Sequence, residues 1–97
     1  MNKKDDAFFD RADEHIRIAN EHLTETSAGK VSASMMYGTA RFNAFISACG
    51  SKSAAEMKEA KEVTVEYFVS EYEKMLRENL EDYIAHFDKY MVADSAD

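Results

Sequence analysis

The 97-residue sequence contains no proline and only three glycines, so little in it forces the chain out of a helix. Two of the glycines, Gly29 and Gly50, fall where the helical spacing of apolar residues stops. The pattern predicts an all-α fold of three helices: a helical hairpin followed by a long C-terminal helix. We expect one domain over residues 1–97, with a disordered tail at 92–97.

Helix 1 is predicted over about residues 5–26. Asp5 and Asp6 suit its start, where carboxylates accept free N–H groups and oppose the helix dipole. The apolar positions lie on one face; they are Phe8, Phe9, Ala12, Ile16, Ala19 and Leu23. Residues 24–27 and Gly29 are expected to end the helix.

Helix 2 is predicted over about residues 32–49, with Gly50 as its C-terminal stop. Arg41 is the only charged residue between Lys30 and Lys52. One face carries large apolar side chains: Val31, Met35, Phe42, Phe45, Ile46 and Cys49. The opposite face is apolar and mostly small: Ala33, Met36, Tyr37, Ala40, Ala44 and Ala48. A helix that is apolar all round is normally buried all round, so we expect both faces to be covered.

Helix 3 is predicted over about residues 54–91. Ser53 and Glu56 form a capping-box pattern at its start, and no breaker follows. The helix would be roughly 57 Å long, about twice the length of helix 2. Its predicted seam contains Phe68, Tyr72, Met75, Leu76, Asn79, Leu80, Tyr83, Phe87 and Tyr90.

The mismatch in helix length predicts that dimerisation completes a bundle-like structure. An antiparallel partner as short as helix 2 cannot cover helix 3 from end to end, and its apolar C-terminal half is unsuited to water. The predicted oligomer interface therefore combines the small-residue face of helix 2 with the end of helix 3. It comprises Ala33, Met36, Tyr37, Ala40, Ala44, Tyr83, Phe87 and Tyr90.

The charge and cysteine content exclude several classes of protein. The net charge of −7 and the absence of basic clusters argue against binding to nucleic acid or to an anionic membrane surface. Cys49 is the only cysteine, and the sequence has no secretory signal and no apolar run of transmembrane length. We therefore expect a soluble cytoplasmic protein.

No group of residues has the spacing of a catalytic or metal centre. His15 and His22 are seven residues apart, about 10 Å along a helix, which is too far to share one small ion. Cys49 lies near a helix C-terminus, where the dipole disfavours a thiolate, so we expect a packed thiol. The sequence predicts no metal, no cofactor and no enzymatic activity.

Arg41 and Asn79 are the polar residues that stand out. A buried Arg41 would need a carboxylate or carbonyl partner, which is either an acidic residue of helix 1 or helix 3 or an anionic ligand or partner. Asn79 lies in the helix 3 seam, where it could fix the register of an oligomer, bond to Arg41 or bond to a backbone group. The methionines near Met35 could fill a core or line an adaptable groove.

Three segments resemble a known protein family. They are FFDRADEHIRIANEHL from Phe8, VSASMMYGTARFNAF from Val31 and EYFVSEYEKMLRENLEDYIAHF from Glu66. They are similar to a family of short bacterial proteins known only as a domain of unknown function, and the strongest parts are FFxRADxHIxxAN and VSASMMY–ARFNAF. The resemblance extends from about Phe8 to Phe87. It implies a free-standing bacterial protein and carries no activity or catalytic residue with it.

The sequence leaves two functions open. The first is a non-catalytic homo-oligomeric module, a dimer by preference, that binds a further, unidentified protein. The second is a carrier of a small apolar anionic ligand. Its pocket would lie between helices, with Arg41 holding the anionic group beside Met35, Phe42, Phe45 and Tyr72.

Overall fold

The computed structural model describes residues 5–92, and every regular element in that range is helical. The elements are α1 (Phe8–His22), α2 (Ala28–Cys49), α3 (Ala54–Glu59), α4 (Lys61–Ala85) and a π-helical turn (Asp88–Val92). The all-α prediction is confirmed, but five helical segments replace the three that were predicted. The chain divides into two compact units, the first ending at Gly50 and the second beginning at Ser51. The single domain over residues 1–97 stays a prediction. The predicted tail, apart from Val92, lies outside the described residues.

In the first unit, α1 begins at Phe8, later than predicted, and the Asp5 side chain does not cap it. Its carboxylate accepts two hydrogen bonds from the Arg11 guanidinium, at 2.9 and 3.4 Å, instead of capping backbone N–H groups. The backbone N–H of Phe8 donates to the Asp5 carbonyl at 3.0 Å. At the other end the Thr24 hydroxyl donates to the Glu21 carbonyl at 2.8 Å, in the turn that follows α1.

The start of α2 corrects the predicted role of Gly29. Ser27, in an extended conformation, accepts a hydrogen bond from the Lys30 N–H at 3.3 Å and so caps the helix. Gly29 is therefore the second residue of α2 and not the end of the preceding element. The predicted C-terminal end at Cys49, with Gly50 as the cap, is confirmed.

In the second unit, the capping box starts α3 as predicted. The Ser53 hydroxyl accepts from the Glu56 N–H at 3.1 Å. The Glu56 carboxylate reaches back to the N–H of Lys52 at 2.6 Å, one residue before the expected donor.

The prediction of one long helix 3 is wrong, because the helix is interrupted at two places. Ala60, with ψ near 0°, separates α3 from α4, and His86, with φ −124° and ψ 35°, ends α4 before the π-helical turn. The longest element of this unit is thus the 25-residue α4, roughly 37 Å in length. The mismatch in helix length that favoured dimerisation is correspondingly smaller.

The hydrophobic core is very small. Among residues 5–92, Val31 is the one hydrophobic side chain that is buried, with 8% of it exposed. In the first unit α1 contacts α2, and in the second α3 contacts α4. These contacts leave most of the large apolar side chains of both units exposed.

Candidate functional site

The first candidate site is the large-residue face of α2, which we call the α2 apolar face: Met35, Gly38, Phe42, Phe45 and Ile46. These residues lie on one side of the helix because they are spaced by three, four and seven. The rings of Phe42 and Phe45 have centroids 6.0 Å apart, and the two side chains are 60% and 57% exposed. Within the first unit, α1 does not cover α2 on all sides, and the predicted cover on both faces stays a prediction.

The opposite face of α2 is also exposed. It contains the predicted interface residues Ala33, Met36, Tyr37, Ala40 and Ala44, of which Tyr37 is 68% exposed. Because alanines lie before and after Met36 and Tyr37, there is room for another helix to pack against this face. Nothing in the first unit covers it.

Within the first unit Arg41 has no ion-pair partner, so the salt bridge to an acidic residue of helix 1 is absent, and the alternative salt bridge to helix 3 stays a prediction. Its side chain is exposed, so the guanidinium is solvated and needs no partner. In α1 the ion pairs form locally: Glu21 binds Arg17 at 3.0 Å. Arg41 remains the only charged side chain of α2 beyond its first turn, next in sequence to Phe42.

Asn79 and Tyr72 belong to the second unit. The Asn79 side-chain amide donates to the Met75 carbonyl one turn earlier, at 2.8 Å. The bond to a backbone group, one of the three predicted roles of Asn79, is therefore present, and the other two stay predictions. Tyr72 is about half exposed on the same helix. Within the second unit neither side chain forms a hydrogen bond or an ion pair with an acidic or basic side chain.

A polar cluster at the end of α4 was not predicted. The Tyr90 hydroxyl donates to one carboxylate oxygen of Asp82 at 2.8 Å, and Nδ1 of His86 lies 3.1 Å from the other. His86 Nδ1 is also 3.1 Å from the Asp82 carbonyl oxygen. Because both neighbours are acceptors, Nδ1 is the donor in these two contacts.

Aromatic contacts join this cluster to the predicted interface residues. The Tyr83 and Tyr90 ring centroids lie 4.7 Å apart, and the His86 ring meets Tyr90 edge-on at 6.1 Å. Tyr83 and Phe87 are about half exposed. The sequence signal that could have revealed the cluster is the spacing of four between Asp82, His86 and Tyr90, which places them on one helical face.

Hydrogen bonds to carboxylates shift the pKa values of several groups, among them Tyr90 and Asp5. The hydrogen bond from Tyr90 to the Asp82 carboxylate raises the pKa of the Tyr90 phenol, because the neutral phenol is the donor. The hydrogen bond from the Arg11 guanidinium lowers the pKa of the Asp5 carboxyl. Both pairs are solvent-exposed, so their energetic effect is screened.

The chemistry available to these residues is limited. Within the part of the chain that the structure describes, no three His, Cys, Asp or Glu side chains come together in a way that could hold a metal ion. Cys49 is exposed, which corrects the expected packed thiol. No helix among residues 5–92 is long and apolar enough to cross a membrane.

These features define a class: a small all-helical protein whose described residues include extensive exposed apolar faces. The sequence matches the family described as "Protein of unknown function (DUF3144)" over residues 8–84, and the chain belongs to that family. This confirms the resemblance noted from the FFxRADxHIxxAN pattern.

A solved structure shares this fold. The NMR structure of the protein NB7890A from Shewanella sp is 35% identical in sequence to this chain, with a TM-score of 0.76. The similarity covers 95% of this chain and 98% of that one. No curated protein matches the sequence.

Proposed function

We propose that this protein is a non-catalytic homo-oligomeric module, a dimer in its simplest form, in which a second copy covers the apolar faces. The observation that carries the proposal is the burial of a single hydrophobic side chain, Val31, among residues 5–92. A soluble chain of about 100 residues that folds alone buries over half of the surface of its unfolded state, with most large apolar side chains inside. A second copy supplies the cover that the single chain lacks.

The exposed area is sufficient for such an interface. In α2, six large apolar side chains are each at least 40% exposed: Met35, Met36, Tyr37, Phe42, Phe45 and Ile46. Three of the six are aromatic, and an aromatic side chain buries about 150–250 Å² when fully covered, so the six present roughly 600 Å² of apolar surface, divided between the two opposite faces of α2. A standard interface takes about 800 Å² from each partner. The exposed side chains of α4, which include Leu80 and Tyr83, add a comparable area.

The charged side chains on the exposed helix faces form the exterior of the proposed oligomer. Ion pairs such as Arg17–Glu21 and Arg77–Glu73, at 3.0 and 2.9 Å, lie on exposed helix faces. The net charge of −7 on each chain would be doubled in a dimer. Such an exterior suits a further protein with a basic surface and repels nucleic acid.

Light scattering coupled to size-exclusion chromatography tests the proposal. The purified protein should elute with at least twice the 11.0 kDa mass of one chain. On dilution, the mass should fall only when the protein concentration drops below the dissociation constant of the oligomer. A mass of 11.0 kDa at every concentration up to several hundred micromolar would refute it.

A second candidate function is the binding of a small apolar anion, which the unpaired Arg41 favours. Arg41 precedes Phe42 in α2, whose large-residue face also carries Met35 and Phe45, and it has no acidic partner within the first unit. A thermal-shift titration with decanoate tests this function. Stabilisation that is lost in Arg41→Met and retained in Arg77→Met would support it, and equal shifts in both variants would exclude a role for Arg41.

A further inference from the structure

Gly38 lies deep inside α2, ten residues after the helix begins and eleven before it ends. Glycine is the least favourable helix residue apart from proline, because its backbone loses the most freedom on folding. Among the described residues no glycine has a positive φ, so any residue except proline can adopt the backbone conformation at Gly38. The geometry of the helix therefore does not require this glycine.

Packing within the described chain does not require it either. A Cβ atom built at Gly38 would meet nothing within 4 Å. The glycine lies between Met35, one turn before it, and Phe42, one turn after it, with Phe45 a further turn on. It therefore forms a notch in the α2 apolar face, flanked by large and exposed side chains.

We propose that this notch is the point at which a helix of the second copy approaches α2 most closely. The inference rests on the proposed homo-oligomer and adds to it the position of the interface. Without a Cβ, Gly38 lets another backbone come nearer than any other residue would, while Met35, Phe42 and Phe45 surround the contact. The exposed side chains of the α2 apolar face present roughly 400 Å², about half of what one partner of a stable dimer contributes, and the exposed apolar side chains of α4 offer a comparable further area.

Gly29 offers a matched control on the same helix. A Cβ at Gly29 also meets nothing within 4 Å, and its φ is not positive either. Nine residues separate it from Gly38, which at 100° per residue places the two glycines on opposite sides of α2. Alanine adds the same methyl group at both positions. Because alanine is the better helix former, above all in the helix interior where Gly38 lies, a lower Tm in Gly38→Ala would have to come from weaker association.

The test compares Gly38→Ala, Gly29→Ala and wild type by light scattering over a dilution series and by thermal unfolding at one fixed concentration. We expect Gly29→Ala to keep the wild-type dissociation constant and an equal or higher Tm. Gly38→Ala should raise the dissociation constant at least tenfold and lower the Tm. Gly38→Leu should give monomers with retained far-ultraviolet helical signal, because the space around Gly38 is open within the single chain.

Two results would overturn the inference, and they are distinguishable. An oligomeric wild type with a Gly38→Ala variant that associates equally well and melts higher would place the interface elsewhere and leave the proposed oligomer standing. A wild type that is monomeric at every concentration would overturn both, and would leave this face to a different protein.

Discussion

The rings of Phe42 and Phe45 lie 6.0 Å apart on α2, and each side chain is more than half exposed. Such an exposed pair contributes little to the stability of a single chain, because aromatic rings stabilise a protein mainly through the area that they bury. In the proposed oligomer the same pair lies inside an interface, where aromatic anchors contribute much of the binding energy.

The first prediction concerns this pair. Phe45→Ala should weaken self-association by about 2–4 kcal/mol, the range found for aromatic residues at the centre of an interface. Sedimentation equilibrium measures the change, with Arg77→Ala as the control because Arg77 makes only an exposed ion pair within its own helix. If Phe45→Ala and Arg77→Ala associate equally well, the α2 apolar face is not part of the interface.

A second prediction concerns the Asp82 carboxylate and Tyr90. The pKa of Tyr90 is raised above the unfolded value of about 10, so the stability from this bond is fully present below pH 10 and is lost as the pH rises through the folded pKa. Asp82→Asn should bring the pKa of Tyr90 back toward its ordinary value, because the carboxylate is its main cause. NMR titration of the Tyr90 ring carbons measures it. An unchanged pKa in Asp82→Asn would show that the bond is absent in solution.

A third prediction concerns Asp5 at the start of α1. Its pKa is lowered by Arg11, so the stability from this pair is present above the unfolded pKa of about 3.9 and is lost as the pH falls through the lower folded pKa. NMR titration of the Asp5 carboxyl should show a higher pKa in Arg11→Met. Arg17→Met is the control, since Arg17 pairs with Glu21. Equal Asp5 pKa values in the two variants would contradict the contact.

A fourth prediction concerns the cap of α3. Ser53→Ala removes the acceptor for the Glu56 N–H and should lower the free energy of unfolding by about 1 kcal/mol. Urea denaturation measures the change. Ser70→Ala, in the interior of α4, is the control; its hydroxyl only donates to carbonyls of its own helix, so we expect a change of about 0.5 kcal/mol or less. A Ser53→Ala variant as stable as wild type would show that the cap does not contribute.

The elements with a clear physical signal could be predicted from the sequence. The absence of proline and the apolar periodicity gave the helical class, and Ser53 with Glu56 marked the start of α3. The interruption at Ala60 could not be predicted, because alanine is the best helix former and carries no signal for a break. Gly29 was misread because glycine is tolerated within the first turn of a helix, and Ser27 gave the better signal for its start.

The candidate site was harder to predict. The apolar character of α2 was clear from its sequence, but exposure depends on what lies opposite a residue, and composition does not contain that information. The contacts of Asp82, His86 and Tyr90 depend on a π-helical turn whose formation follows no simple pattern of residues. The interface predicted around Tyr83 and Ala40 stays a prediction.

The most direct test of the central claim is a filtered nuclear Overhauser experiment on a sample that mixes isotope-labelled and unlabelled copies after unfolding and refolding them together. Signals then arise only between different copies. A second copy on the α2 apolar face predicts contacts from the ring protons of Phe42 and Phe45 to protons of the other copy. A spectrum with no such contacts at millimolar concentration, from a refolded and helical sample, would contradict the claim.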